Sequence, residues 1–139
     1  TMTATSRASM LAAYQMVATH GSVTEADPHR LIVMLMDGAL SRIAQARGCM
    51  ERRATAEKSA HLQRAIAILD ELRGSLDLSQ GELAQNLDSL YDFMSRQLLQ
   101  AHVADRLELL DRTASLLQEI RGAWIALPPE ARALRRGAR

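Results

Sequence analysis

The stretch from Ala26 to Leu40 limits the folds open to this chain more than any other. Asp27 can cap the free N–H groups of a first helical turn, and Pro28 carries the φ angle that the first helical position needs. Six consecutive apolar residues follow, Leu31 to Met36. A helix lying on one side of a bundle needs a single apolar stripe. Six in a row point all the way round, so more than one face of this helix must be covered, and a partner outside the bundle is a candidate for part of the cover.

The rest of the composition is compatible with helices throughout. At 139 residues, 47% apolar and 24% charged, the chain reads as one globular domain. Aromatics are only 3%, which leaves the core to Leu, Ile, Val, Met and Ala. With three prolines, seven glycines and few β-branched runs, the fold class expected is all-α. A net charge of +1 gives no case for nucleic acid. The single cysteine, Cys49, excludes an internal disulfide and fits a reducing compartment. No apolar run approaches the length of a membrane span, so no membrane insertion is expected. Thr1 to Tyr14 lacks a basic-then-apolar leader pattern. A cytoplasmic protein is the expectation.

Three regions follow from the patterning. Residues 1–26 are rich in Ser, Thr, Ala and Gly and read as a mobile N-terminal arm. Within it Met10, Leu11, Tyr14, Met16 and Val17 form a short amphipathic segment suited to docking. Residues 27–127 read as four helices: Pro28 to about Met50, about Ala56 to Leu76, about Glu82 to Ala101, and one following Asp105. Thr55 is expected to cap the second helix and Asp105 the fourth. The stripes are Leu62, Ile66, Leu69, Leu72 and Leu76; then Leu83, Leu87, Leu90, Met94, Leu98 and Ala101, widened by Tyr91, Phe93 and Leu99; then Leu107, Leu110, Ala114, Leu117, Ile120 and Trp124. Pro128 and Pro129 stop the last helix. Short connections imply an antiparallel four-helix bundle. Residues 128–139 form a short basic tail, with Arg132, Arg135, Arg136 and Arg139 but no interleaved aromatic for base stacking.

Catalytic and metal motifs are missing from the sequence. No Glu-x-x-His pair, phosphate-binding glycine loop or serine nucleophile motif occurs. His20, His29, His61 and His102 share no helical face and are expected at the surface or at helix ends. Asp88 and Asp92, one turn apart, read as a solvated face. No reaction, cofactor or metal is expected. Asp37 lies in a nearly all-apolar run, with Arg96, Asn86 or Tyr91 as candidate partners. Gly38 allows close approach by a helix or ring, and Met34, Met36 and Met94 supply adaptable surface.

Two segments carry a family resemblance. Leu31 to Leu40, preceded by Ala26-Asp27-Pro28, resembles the first-helix motif of the flagellar secretion chaperone FliS family. Asn86 to Leu98 resembles that family's third-helix motif, and Trp124 closes the last helix. The resemblance extends from Tyr14 to Trp124. It implies a non-enzymatic cytoplasmic chaperone that binds the disordered C-terminal segment of flagellin. Binding would prevent premature polymerisation and keep the cargo fit for flagellar type III export, where the export gate protein FlhA receives the loaded chaperone. No cofactor or ATP is implied. The expected cargo groove comprises Leu31, Ile32, Leu35, Met36, Asp37, Asn86, Leu87, Leu90, Tyr91 and Met94. The arm, through Met10, Leu11, Tyr14 and Val17, is expected to cap it; Tyr14 matches the family's arm tyrosine. The chain departs from the family at Met36, where a Tyr is usual, and in a longer link from Tyr14 to Leu31. The competing reading is a bundle that uses the same faces to form a homodimer, without flagellin as cargo.

Overall fold

The computed structural model describes residues 28–126. The arm, including Met10, Leu11, Tyr14 and Val17, lies outside the described residues, as do the Asp27 cap, the Pro128-Pro129 stop and the basic tail. Helices account for nearly all of what is described: α1 (Pro28–Glu51), α2 (Thr55–Gly74), α3 (Glu82–Ala104) and α4 (Leu107–Ala126). A single 3₁₀ turn, Leu78–Gln80, sits between α2 and α3. No strand occurs among the described residues. Each helix packs on its neighbour in sequence, and α4 closes the ring against α1. Ion pairs show that neighbours run antiparallel: Arg73 reaches Asp88 and Lys58 reaches Asp105 across α2–α3, while Asp37 reaches Arg121 and Arg47 reaches Asp111 across α1–α4. The fold is an all-α antiparallel bundle.

Helix α1 ends at Glu51, one residue past the Met50 that the apolar pattern predicts. At 1.5 Å per residue its 24 residues span about 36 Å. Of its six-residue apolar run, Leu31, Ile32, Leu35 and Met36 are buried, and Val33 and Met34 half-buried. The run is therefore covered on most of its circumference. The core below it is aliphatic, with Met36, Ile43, Leu62, Ile68, Leu69, Leu72, Met94, Leu98, Leu110 and Leu117 almost wholly removed from solvent. Each such side chain contributes about 1.5–3 kcal/mol by burial.

Several local expectations are corrected. Thr55 does not cap α2; it is the first helical residue, Ala54 holds the cap position, and no side chain bonds the free N–H groups. Asp105 does not cap α4. It ends α3 in the left-handed region (φ 51°, ψ 47°), a conformation that Asp tolerates, and α4 begins two residues later. Its carboxylate turns instead to Lys58, whose ammonium also donates to the His102 carbonyl at 3.2 Å. Lys58 is thus a buried strut tying the start of α2 to the end of α3. The ammonium holds the Asp105 carboxyl below the usual carboxylate range.

Asp88 and Asp92 are not a simple solvated face. Both are held by Arg73, at 3.0 and 3.1 Å, across the α2–α3 seam, and Arg96 pairs with Asp92 rather than with Asp37. His29 and His61 are withdrawn from solvent. His29 is buried at the start of α1, while half-buried His61 accepts from the Arg42 guanidinium at 3.0 Å through Nδ1. Burial, reinforced by the Arg42 charge, lowers the basicity of the His61 imidazole. Cys49 is buried near the end of α1, as a small apolar residue would be. Phe93, Leu99 and Leu83, expected to belong to or widen the α3 stripe, are 48%, 52% and 46% exposed. The buried face of α3 is narrower than its apolar pattern.

Two predictions arise from these local features. Gly81 joins the 3₁₀ turn to α3 at φ 116°, ψ −167°, a region essentially restricted to glycine. Gly81→Ala should destabilise the bundle by about 1–3 kcal/mol, read as a lower urea midpoint. Nothing stands within 4 Å of a Cβ built there, so the cost is backbone strain and not collision.

Tyr91 is 2% exposed, and burial pushes its phenol well above the ordinary value. Above about pH 10 the unfolded chain releases this proton while the fold retains it. The unfolded state then binds fewer protons, so stability falls as pH rises, by up to about 1.4 kcal/mol per pH unit. The contribution is fully present below pH 10. Urea midpoints at pH 9 and 11 should therefore differ, and Tyr91→Phe should shrink the difference.

Candidate functional site: an apolar groove between the third and fourth helices

The four seams of the bundle differ in character. The α1–α4 seam carries two ion pairs, Asp37–Arg121 at 2.6 Å and Arg47–Asp111 at 2.7 Å, and it ends in a contact between His29 and Trp124. The α2–α3 seam carries the Arg73 and Lys58 bridges. The α3–α4 seam is the least extensive of the four. Toward the α3 C-terminus, Gln97 donates to the buried Thr113 hydroxyl at 3.2 Å, and that hydroxyl in turn donates to the Leu109 carbonyl. Toward the α3 N-terminus the two helices leave an open groove of about 360 Å³.

Among the described residues, seven apolar residues and one acid line this groove. Leu83, Leu87 and Leu90 come from α3; Leu116, Ile120, Ala123 and Trp124, with Glu119, come from α4. The spacings are those of one helical face on each side: four and three on α3, and four, three and one on α4. Leu87, Ile120 and Trp124 are buried and form the floor. Leu83 and Ala123 are exposed, and Leu90 and Leu116 half-exposed, so they form the walls. Phe93, 48% exposed, follows Leu90 by three residues on the same side of α3. Glu119 is the charged group among the lining residues. Such a surface can hold an apolar or amphipathic segment.

Of the residues expected to form a groove from sequence, the structure brings Leu87 and Leu90 into this one, with Asn86 exposed beside them. Ile32, Leu35, Met36, Tyr91 and Met94 are instead packed in the bundle core, and Leu31 is buried, all at 8% exposure or less. Asp37 is exposed and its partner is Arg121 of α4, not Arg96, Asn86 or Tyr91. The α4 wall was not anticipated. Its sequence signal is the adjacent Leu116 and Leu117, a pair too wide for a single stripe.

A second cavity, of about 460 Å³, opens at the opposite end of the bundle between the α1–α2 and α3–α4 turns. It is lined by Cys49, Met50, Arg53, Ala54, Thr55, Lys58 and Asp105. Its charged centre is the Lys58–Asp105 bridge that joins α2 to α3. Among the described residues, no three His, Cys, Asp or Glu side chains are placed to hold a metal ion. No described helix is long and apolar enough to cross a membrane.

The described residues thus form a helical bundle with an open apolar groove between α3 and α4. Comparison with known proteins gives the family. The family model described as flagellar protein FliS matches residues 10–131, and the chain belongs to the FliS family. Three relatives illustrate the match. The flagellar secretion chaperone FliSB of Pseudomonas aeruginosa is 46% identical over 112 residues, covering 80% of this chain and 89% of that protein. The flagellar secretion chaperone FliS of Salmonella typhimurium is 40% identical over 126 residues, covering 89% and 93%. Its namesake in Vibrio cholerae is 36% identical over 121 residues, covering 86% and 89%.

Proposed function

We propose that this chain is a flagellar export chaperone that binds the disordered C-terminal segment of flagellin, keeps it from polymerising in the cytoplasm, and delivers it to the export gate protein FlhA. Family membership supports the export role. The observation that carries the cargo assignment is the α3–α4 groove: two apolar walls, a buried floor and a single acid at the rim. A disordered amphipathic segment loses conformational freedom on binding, so its complex needs apolar contact spread along a face. Anchors three and four residues apart on such a segment match the spacing of the groove walls. The role is non-enzymatic: holding and shielding, with release to the export machinery.

Calorimetric titration of the purified chain with a synthetic C-terminal segment of its flagellin tests the reading. A saturable complex at micromolar concentration or tighter, with a negative heat-capacity change from apolar burial, is expected. Absence of binding, together with a stable dimer by light scattering, would instead favour self-association through the same face.

A further inference from the structure

The groove floor ends at Trp124, and this residue is held from a different helix. His29, the second residue of α1, stacks its imidazole on the indole with centroids 4.8 Å apart and an 11° angle between planes. Two hydrogen bonds cross between the same two residues. The imidazole Nε2–H donates to the Trp124 carbonyl at 2.5 Å, and the indole Nε1–H donates to the His29 carbonyl at 3.0 Å. Both residues are buried, at 8% and 4% exposure.

The place of this clasp in the fold matters more than its chemistry. Trp124 stands two residues before the end of α4, and its carbonyl is among the last four that a helix leaves without a partner. Such an end frays unless something outside the helix holds it. One turn earlier α4 is tied to α1 by the Arg121–Asp37 pair, which lies at the surface, and exposed pairs hold little. On its other side Trp124 meets the groove that α4 shares with α3. The α3–α4 seam is the less extensive one, so α4 at this end of the groove leans more on α1 than on α3.

We propose that His29 is a positioning residue for the groove: by clasping Trp124 it holds the end of α4 in the geometry that a bound segment meets. Trp124 lines the groove and His29 reaches it from α1, so His29 acts through Trp124. A preformed wall spares the complex the cost of ordering it, so the clasp appears as affinity and not only as stability. The inference rests on the reading of the groove as a flagellin-segment site.

Three variants of the full chain separate the parts of the clasp. His29→Ala removes ring and donor, His29→Gln keeps a donor, and His29→Phe keeps a ring. Each is titrated at 10 °C, below its measured unfolding transition, with the flagellin C-terminal segment. The molecule's one tryptophan reports locally through near-ultraviolet circular dichroism and indole anisotropy. His29→Ala is expected to weaken binding about tenfold, the scale of one lost hydrogen bond and one ring contact. Its indole signal should lose intensity and gain mobility while far-ultraviolet helicity is unchanged. The Gln and Phe variants should each recover part of the affinity. A residue with only a structural role would lower the melting temperature and leave affinity at 10 °C untouched; that result overturns the proposal. If the Ala variant does not fold, wild-type affinity in both Gln and Phe variants overturns it equally. Failure of the wild-type chain to bind the segment counts against the functional reading, and the indole signals of the variants still decide whether the clasp orders α4.

Discussion

Replacing Leu83 and Ala123 together by aspartate is expected to weaken binding of the flagellin C-terminal segment by about 100-fold or more. The two positions lie one on each wall of the groove, Leu83 on α3 and Ala123 on α4, and both are exposed. Substitution therefore leaves the buried floor of Leu87, Ile120 and Trp124 in place. An aspartate near the start of α3 is compatible with the helix dipole; one near the end of α4 costs about 0.3–1 kcal/mol. Stability should change little, while each wall exchanges an apolar contact for a carboxylate that a bound apolar segment would have to desolvate. A tenfold change in affinity corresponds to about 1.4 kcal/mol, and two such losses account for the expected effect. The comparison is made by calorimetry against the wild type, with urea unfolding as the control. The matched double variant Leu99→Asp with Val103→Asp, at exposed apolar positions outside the groove, should bind normally.

The largest expected effect on stability belongs to Trp124→Ala. Truncating a buried aromatic typically costs about 3–5 kcal/mol, partly from lost transfer and partly from the cavity left behind. Here the ring is 4% exposed, stacks on His29 and donates to the His29 carbonyl, so the substitution also breaks the closure of α4 on α1. Domains of this size have total stabilities of about 5–15 kcal/mol. A loss of this size should lower the melting temperature by on the order of 15–30 °C, followed by circular dichroism at 222 nm. Trp124→Phe, which keeps a ring for His29 but loses the indole donor, should retain most of the stability.

What the sequence made legible, and what it did not, follows from where each signal resides. The C-terminal end of α1 is legible to within a residue because the apolar run is a local signal, carried by side-chain size and spacing. The number, order and antiparallel packing of the helices follow from the three- and four-residue periodicity and the short connections. The caps were less legible. Thr55 and Asp105 have the right chemistry for a helix start, but the turn geometry decides which residue takes that place. Asp105 found a stronger partner in Lys58, 47 positions away in sequence. Ion pairs between helices depend on their relative rotation and register, which no single-helix pattern contains; for that reason Asp37 was matched with α3 when its partner is Arg121 of α4.

The groove was half legible for the same reason. Periodicity identifies apolar residues but does not distinguish a wide core stripe from a core stripe with an exposed apolar edge. Of the ten residues expected in the groove, Leu87 and Leu90 line it, whereas Met36, Tyr91 and Met94 are core. Leu83 and Phe93 were assigned to the core stripe or its border, whereas both are exposed. Rotation of α3 against α4 decides these assignments, and it also brings Leu116, Ile120 and Ala123 to the facing wall. The apolar run in α1 that first suggested a binding surface is chiefly core, and the surface it pointed to lies on the other side of the bundle's fourth helix.

The most direct measurement is a methyl-resolved NMR titration of the leucine- and isoleucine-labelled chain with the flagellin C-terminal segment. Saturable shifts are expected at Leu83, Leu87, Leu90, Leu116 and Ile120, with Leu99 and the buried Leu69 unmoved. Shifts confined to Leu99 and its surroundings, or none at the five groove residues at saturating segment, would contradict the assignment of the α3–α4 groove as the cargo site.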